Sequence, residues 1–541
     1  MKKIKLELEG KTCGACEVHV ENALAKSNFS NIVVDYKTGE AYFESEQKIN
    51  LNDIKVAMDN IHYRPLSLEE ISPDNGQNTF DLIIIGSGSA AFAAAIKASE
   101  LGKTVAMIEK GTLGGTCVNI GCVPSKTLLR AGEIAAMTQT HLFDGLKTSV
   151  DAIDLSKLVD QKNQLVSSLR QKKYIDLIDE YNINLIQGVA TFINKNTVEV
   201  NGQTYTGKKF LIATGVSPMI PNIPGLKDVD YLTSTTLLEL KEIPKRLTVI
   251  GSGFIALELG QLFHQFGSKV TLMQRSDTFL KTYDHEISET FEKTLMRQGI
   301  NILKGVTYNK VEQLNHIKRV FITVDGNKQI VESEQLLIAA GRKPNTSEIN
   351  LEVAKVNTGS KGEILINEYS QTSNPDIYAA GDVTIGPQFV YVAAYEGGLS
   401  ADNAFGGNTR KLNLSVVPKV IFTTPAVASV GLTEDEAISR KLDIKTSVLY
   451  LDQVPRVMVN YETDGVIKLV VESSSRKILG VHMVGDHAGE VIASATLAVK
   501  FGLTIDDVKE TMIPYLTMSE AFKLSALTFD KDVSKLSCCA V

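Results

Sequence analysis

Six cysteines occur in the 541 residues, and they fall into three close pairs: Cys13/Cys16, Cys117/Cys122 and Cys538/Cys539. Thiols so spaced can ligate a soft metal ion, exchange disulfides or meet a redox cofactor. In a reducing compartment they read as redox or metal chemistry, not as structural staples. Gly10-Lys-Thr-Cys13-Gly-Ala-Cys16 stands between a strand-like and a helix-like stretch and suits metal carriage. Half a zinc site and a thioredoxin-type redox pair are its alternatives, although no second ligand pair lies nearby for zinc. Cys117 and Cys122 have four residues between them and open a helix running to Leu129, whose amino terminus lowers a thiol pKa. Two inert buried cysteines are the bland alternative, and the surrounding glycines argue against it. Consecutive Cα atoms lie ~3.8 Å apart, too close for a relaxed disulfide, so Cys538-Cys539 suits a soft metal better. A frayed tail with incidental cysteines and a tail redox pair are the other readings.

Two glycine patterns supply a second kind of chemistry. Gly86-Ser-Gly88-Ser-Ala-Ala91 follows the apolar run DLIII and leads into a helix, with Glu109 about 20 residues on. Such a turn brings backbone close to a pyrophosphate on a helix amino terminus, and the acid accepts ribose hydroxyls. Gly251-Ser-Gly253-Phe-Ile-Ala256 repeats the pattern, but its second strand ends in Gln274 and Arg275. A 2′-phosphate repels a carboxylate and pairs with Arg, so this second site is expected to prefer NADPH to NADH. Gln274→Glu is expected to raise the relative use of NADH. Two nucleotide folds in one chain imply a flavin and a nicotinamide exchanging hydride. Further glycine turns at LLIAAGRKPN and IYAAGDV fit this, the latter placing Asp382 to reach a flavin's ribityl or phosphate side.

The elements that must position these groups are legible in the hydropathy pattern. Residues 1–70 alternate and repeat as β-α-β-β-α-β, the ferredoxin-like order, and Ser72 to Thr79 read as a linker. From Phe80 onward, short unbroken apolar strands between helices imply parallel sheets covered on both faces. The fold class is therefore α/β, with two Rossmann-like domains, followed by an α+β domain from about Lys411. A net charge of −7, from 56 basic and 63 acidic residues, argues against a nucleic-acid partner. No apolar run reaches the ~18 residues of a membrane helix, and MKKIKLELEG lacks a signal-peptide core, so a cytoplasmic location is expected.

From Phe80 to the end, the chain resembles the flavin disulfide oxidoreductases, the family of dihydrolipoamide dehydrogenase and glutathione reductase. The segments that carry the likeness are the glycine motifs, CVNIGCVPSK, LIATG at 211–215, AAGDV at 379–383 and VPKVIFTTP at 417–425. The resemblance implies non-covalent FAD, a redox-active dithiol on one flavin face and nicotinamide on the other. It implies that Cys122 is the thiolate nearer the flavin, Cys117 the exchanging thiol, and Lys126 with Glu258 an ion pair beside the flavin. Thr116, Lys126, Thr214, Gly215 and Asp382 match flavin-contacting positions, with Gly111, Ala190 and Val390. The implied division is 80–230 with 345–410 for FAD, 231–344 for NADPH, and 411–541 as a dimerisation domain. Each active site would be shared across the homodimer.

Departures from the family decide the substrate. Members that reduce disulfides carry His-Pro followed by Thr and Glu near the carboxyl end. Here the segment reads Ile513-Pro514-Tyr515-Leu516-Thr517-Met518-Ser519-Glu520, and none of the eight histidines lies beyond His487. Without that base, proton delivery to a leaving thiolate is poor. The Cys-Cys tail, Tyr515 and the central dithiol resemble the branch that reduces mercury(II) to elemental mercury. The amino-terminal unit resembles heavy-metal-associated domains of metallochaperones, with Lys11 where those carry Met. Cys13/Cys16 would collect mercury(II) from small thiols or a transporter. Cys538/Cys539 of a partner would pass it to Cys117/Cys122, with Tyr515 lining the site. The rivals are a dihydrolipoamide-type disulfide reductase fused to a metal domain and a thiol metal buffer with a vestigial flavin fold.

Overall fold

The computed structural model describes residues 2–9, 14–27, 29–35, 39–45, 49–58, 64–71 and 78–535. The chain forms two compact units, one of Met1–Thr79 with Thr204–Thr206, the other of Phe80–Gln203 with Gly207–Val541. In the first, β1 (Lys2–Glu9), α1 (Gly14–Ala25), β2 (Ser30–Asp35), β3 (Glu40–Ser45), α2 (Leu51–Ala57) and β4 (Arg64–Ile71) follow the order expected from alternation. The strands pair antiparallel in the order β2-β3-β1-β4. Every second residue of β3 is buried, so Ala41 and Phe43 join Ile4, Leu6, Val20, Leu24 and Ile54 in one core. A capping box between Asn50 and Asp53 starts α2. Cys13 lies outside the described residues, and Cys16 falls in the first turns of α1.

In the second unit, β5 (Thr79–Ile85), α3 (Ser89–Glu100) and β6 (Val105–Glu109) form a βαβ unit, with Leu82 paired in parallel to Val105. Leu82 to Ile85 are all buried, as expected of a parallel strand covered on both faces. The same device recurs in the strand Arg246–Ile250, the helix Phe254–Gln265 and the strand Lys269–Met273, within a four-stranded parallel sheet. An antiparallel meander, Thr307–Leu314, Ile317–Val324 and Asn327–Ser333, follows. The carboxyl-terminal region builds a five-stranded antiparallel sheet between Lys419 and Gly485, backed by the helices Ala488–Phe501 and Glu520–Leu527. Among the described residues, no helix is long and apolar enough to cross a membrane.

Candidate active site

One cavity of about 2490 Å³ is lined by both glycine motifs, by Cys117 and Cys122, and by Lys126 and Glu258. Its two nucleotide cradles are built alike. Gly86, at φ +106°, has Ala213 O within 2.4 Å of where a Cβ would sit, and Gly251, at φ +130°, has Ala339 O within 2.2 Å. Side chains are excluded there by backbone. The next glycines differ: a Cβ on Gly88 or Gly253 would meet nothing within 4 Å, leaving room for a phosphate at each helix start. Ala91 and Ala256 are fully buried and do not line the cavity; they pack their helices onto the sheets instead.

Glu109 ends β6 on the cavity wall, with Oε2 accepting from Ser87 Oγ at 2.5 Å and Oε1 from the Gly111 amide at 2.7 Å. Gly111 itself does not line the cavity; its amide orients Glu109. Thr116, Ala190, Thr214, Gly215, Asp382 and Val390 all line it. The Thr214 hydroxyl is buried without a hydrogen-bond partner among the described residues. Open glycines, an oriented carboxylate and an orphaned hydroxyl together fit a dinucleotide in the first cradle.

The second cradle presents Gln274, Arg275 and also Lys281, a cation that spacing alone did not single out. Gln274 Nε2 donates to the carbonyls of Ser276 at 2.7 Å and Thr278 at 3.0 Å. This changes the expectation for Gln274→Glu. A glutamate would set a carboxylate against both carbonyls and disrupt the turn, so Arg275 is the cleaner probe of cofactor choice.

The dithiol lies across a helix break. Cys117 belongs to α4 (Gly115–Asn119), and Cys122 is the first residue of α5 (Cys122–Thr140), which continues past Leu129. Both are free thiols and partly buried. A hydrogen bond with Cys117 pulls the Cys122 pKa down to about 7, and Lys126 one turn along adds to this against the cost of burial. The same hydrogen bond, with burial, pushes Cys117 well above the usual thiol range. As pH rises through about 7, Cys122 gives up its proton first, and the one that remains is held on Cys117. Lys126 Nζ donates to Glu258 Oε2 at 2.7 Å and lies 4.6 Å from the centre of the Phe422 ring. Glu258 Oε1 accepts from the Phe422 amide at 3.0 Å.

Three further residues at this site carry no signal in the sequence pattern strong enough to pick them out. Tyr174 lies in a π-helical turn, Gln171–Ile175, after α6 (Leu155–Arg170), with its ring edge-on to Phe92 at 4.9 Å. Burial raises its phenol pKa, and its ring packs against Gly114, three residues before Cys117. Arg342 donates to Asp382 Oδ2 at 2.8 Å, and Asp382 is nonetheless raised by burial. Glu396 reaches the same loop from behind. Tyr515 is 45% exposed and does not line the cavity of its own chain. Cys538 and Cys539 lie outside the described residues.

Residues 80–397 match the family described as pyridine nucleotide-disulphide oxidoreductase, and residues 417–526 match its dimerisation domain. A mercuric reductase of Lysinibacillus sphaericus is 59% identical over the whole of both chains. Mercuric reductases of Bacillus cereus and Staphylococcus aureus are each 57% identical, the first over 100% of this chain and 87% of its own, the second over 99% of both. Among solved structures, the HOCl-induced flavoprotein disulfide reductase RclA of Escherichia coli is similar, with a TM-score of 0.75 and 30% identity. That match covers 83% of this chain and all of RclA. With both nucleotide cradles, the dithiol and the dimerisation domain in place, this chain belongs to the pyridine nucleotide-disulphide oxidoreductase family, and within it to the mercuric reductases.

Proposed function

We propose that the protein reduces mercury(II) to elemental mercury at the expense of NADPH, as a homodimer, and so detoxifies the metal. The observation that carries this reading is the convergence of two nucleotide cradles and one dithiol on a single cavity. FAD bound in the first cradle would supply the two-electron chemistry that links NADPH to the dithiol side. One hydride carries the two electrons that mercury(II) takes up, and one proton is released. The chain's own residues do the rest. Cys122 meets the metal as a thiolate, while Cys117 loses its proton as it becomes the second ligand. Lys126 holds negative charge at Cys122, and Glu258 fixes Lys126. Gly86, Gly88, Glu109 and Asp382 would hold FAD; Gly251, Gly253, Gln274 and Arg275 would hold NADPH. Mercury(II) would arrive from small thiols or a transporter in the cytoplasm and pass from Cys13/Cys16 to the partner's Cys538 and the partner's Cys539, beside Tyr515.

The purified yellow protein is expected to oxidise NADPH when mercury(II) is present and to release volatile mercury. Oxidised lipoamide and glutathione disulfide are expected to give little turnover. Rapid disulfide reduction without mercury turnover would favour the dihydrolipoamide-type rival.

Arg275→Ala is expected to lower kcat/KM for NADPH roughly ten- to hundredfold, the worth of about 1.5–3 kcal/mol for a hydrogen bond to a charged group. NADH kinetics, measured on the same preparation, are expected to stay unchanged. Equal losses with both cofactors would remove Arg275 from phosphate reading.

Deleting residues 1–70 is expected to leave turnover intact with abundant mercury supplied as a small thiol complex, since the two units are separately compact. The loss appears at scarce metal or under excess competing thiol, where a tethered carrier raises local concentration. A truncated protein that keeps FAD but never turns over would contradict this modular reading.

A further inference from the structure

Glu396 is 1% exposed on the helix Val390–Gly406 and lines no part of the cavity, yet it touches the segment that presents Asp382. Its Oε2 accepts from the Gly381 amide at 2.6 Å, and its Oε1 is buried without a hydrogen-bond partner among the described residues. Oε1 lies 3.0 Å from where a Cβ on Gly386 would sit, so the carboxyl that holds the Gly381 end of the loop also stands behind its Gly386 end. Asp382, Ile385 and Gly386 of that loop face the cavity.

We propose that Glu396 is a positioning residue for FAD, gripping the Gly381–Gly386 loop from behind as the neutral acid. The reading rests on the FAD assignment of the first cradle. A buried carboxylate with one donor and a bare oxygen is costly, and a protonated acid relieves that cost while still accepting from Gly381. Burial pushes the carboxyl up to about 7, the Gly381 amide opposes this, and the neighbouring Asp382 adds to it. The charged groups around the loop are Asp382 and its partner Arg342; Glu109 and Cys122 lie elsewhere on the cavity wall. An anionic dinucleotide adds negative charge to the same cavity, so binding favours the proton on Glu396. Below pH 7 the carboxyl is neutral, and as pH rises through that value it gains a negative charge that opposes the anionic dinucleotide.

The test is the FAD dissociation constant, read by flavin fluorescence from pH 6 to 8.5 with the dithiol held oxidised so that Cys122 does not titrate. In the wild-type protein it is expected to rise above pH 7, by up to tenfold per pH unit. Glu396→Gln, a permanent mimic of the neutral acid, is expected to keep the tight low-pH value and to lose the slope. Glu396→Ala is expected to bind FAD more weakly at every pH. A flat wild-type profile, or a Gln variant that keeps the wild-type slope, overturns the proposal. A chain that takes up no FAD at any pH overturns the cofactor reading instead.

Discussion

Turnover of thiol-bound mercury(II) is expected to fall at least about a hundredfold when Cys538 and Cys539 are both changed to alanine. Competing thiols hold the metal tightly, and two linked thiolates strip them with a combined advantage of about 10²–10⁴ over single contacts. FAD content and reduction of Cys117/Cys122 by NADPH are expected to be unchanged. A weakly liganded mercury salt bypasses part of the defect. Mixing tests whether the relay crosses subunits. A heterodimer of the tail variant with a Cys117/Cys122 double variant contains one site with all four thiols, drawn from both chains. It is expected to recover up to half the activity of the wild-type dimer, whereas neither parent homodimer works. A heterodimer that forms, holds FAD and stays inactive would falsify the relay across the interface.

The second large effect concerns the thiolate. Lys126→Met removes the cation that helps hold Cys122 at about 7 and leaves Glu258, 7% exposed at its side chain, without its partner. Both changes push Cys122 in the same direction, since Glu258 raises its pKa. Each unit of rise cuts the thiolate present at pH 7 severalfold at first and about tenfold beyond. The visible charge-transfer absorbance between thiolate and flavin is expected to titrate near pH 7 in the wild-type protein and well above pH 8 in the variant. Lys126→Met with Glu258→Gln is expected to shift it less than Lys126→Met alone. A double variant that shifts as far as Lys126→Met alone, or further, contradicts the view that the Glu258 charge acts on Cys122.

Much of this site was readable because its parts are local. Gly86, Gly88 and Glu109 lie within one βαβ unit, where hydropathy marks both strands and the helix. The amino-terminal unit was equally plain, because alternation in β1 and β3 shows which face is buried. Long-range pairs were harder. Lys126 and Glu258 are 132 residues apart, and only the family resemblance suggested them; the 2.7 Å contact comes from folding. Arg342 and Glu396 converge on one loop from separate elements, and no spacing rule relates them. Tyr174 depends on a single wide turn that QKKYI does not announce. Gln274 shows a subtler failure: its type was noticed, but not the two carbonyls that fix what may replace it.

The contrast between the paired glycines separates folding from cofactor use. Gly86 and Gly251 are fixed by neighbouring carbonyls, so a descendant that had abandoned redox chemistry would still be compelled to keep them. Gly88 and Gly253 meet no such constraint from the protein. Among the described residues nothing else asks them to be small, so their persistence would answer to an incoming phosphate. Presence of the first pair therefore attests ancestry, while presence of the second attests present employment. This chain retains both, in both halves, which speaks against a scaffold kept only for its thiols.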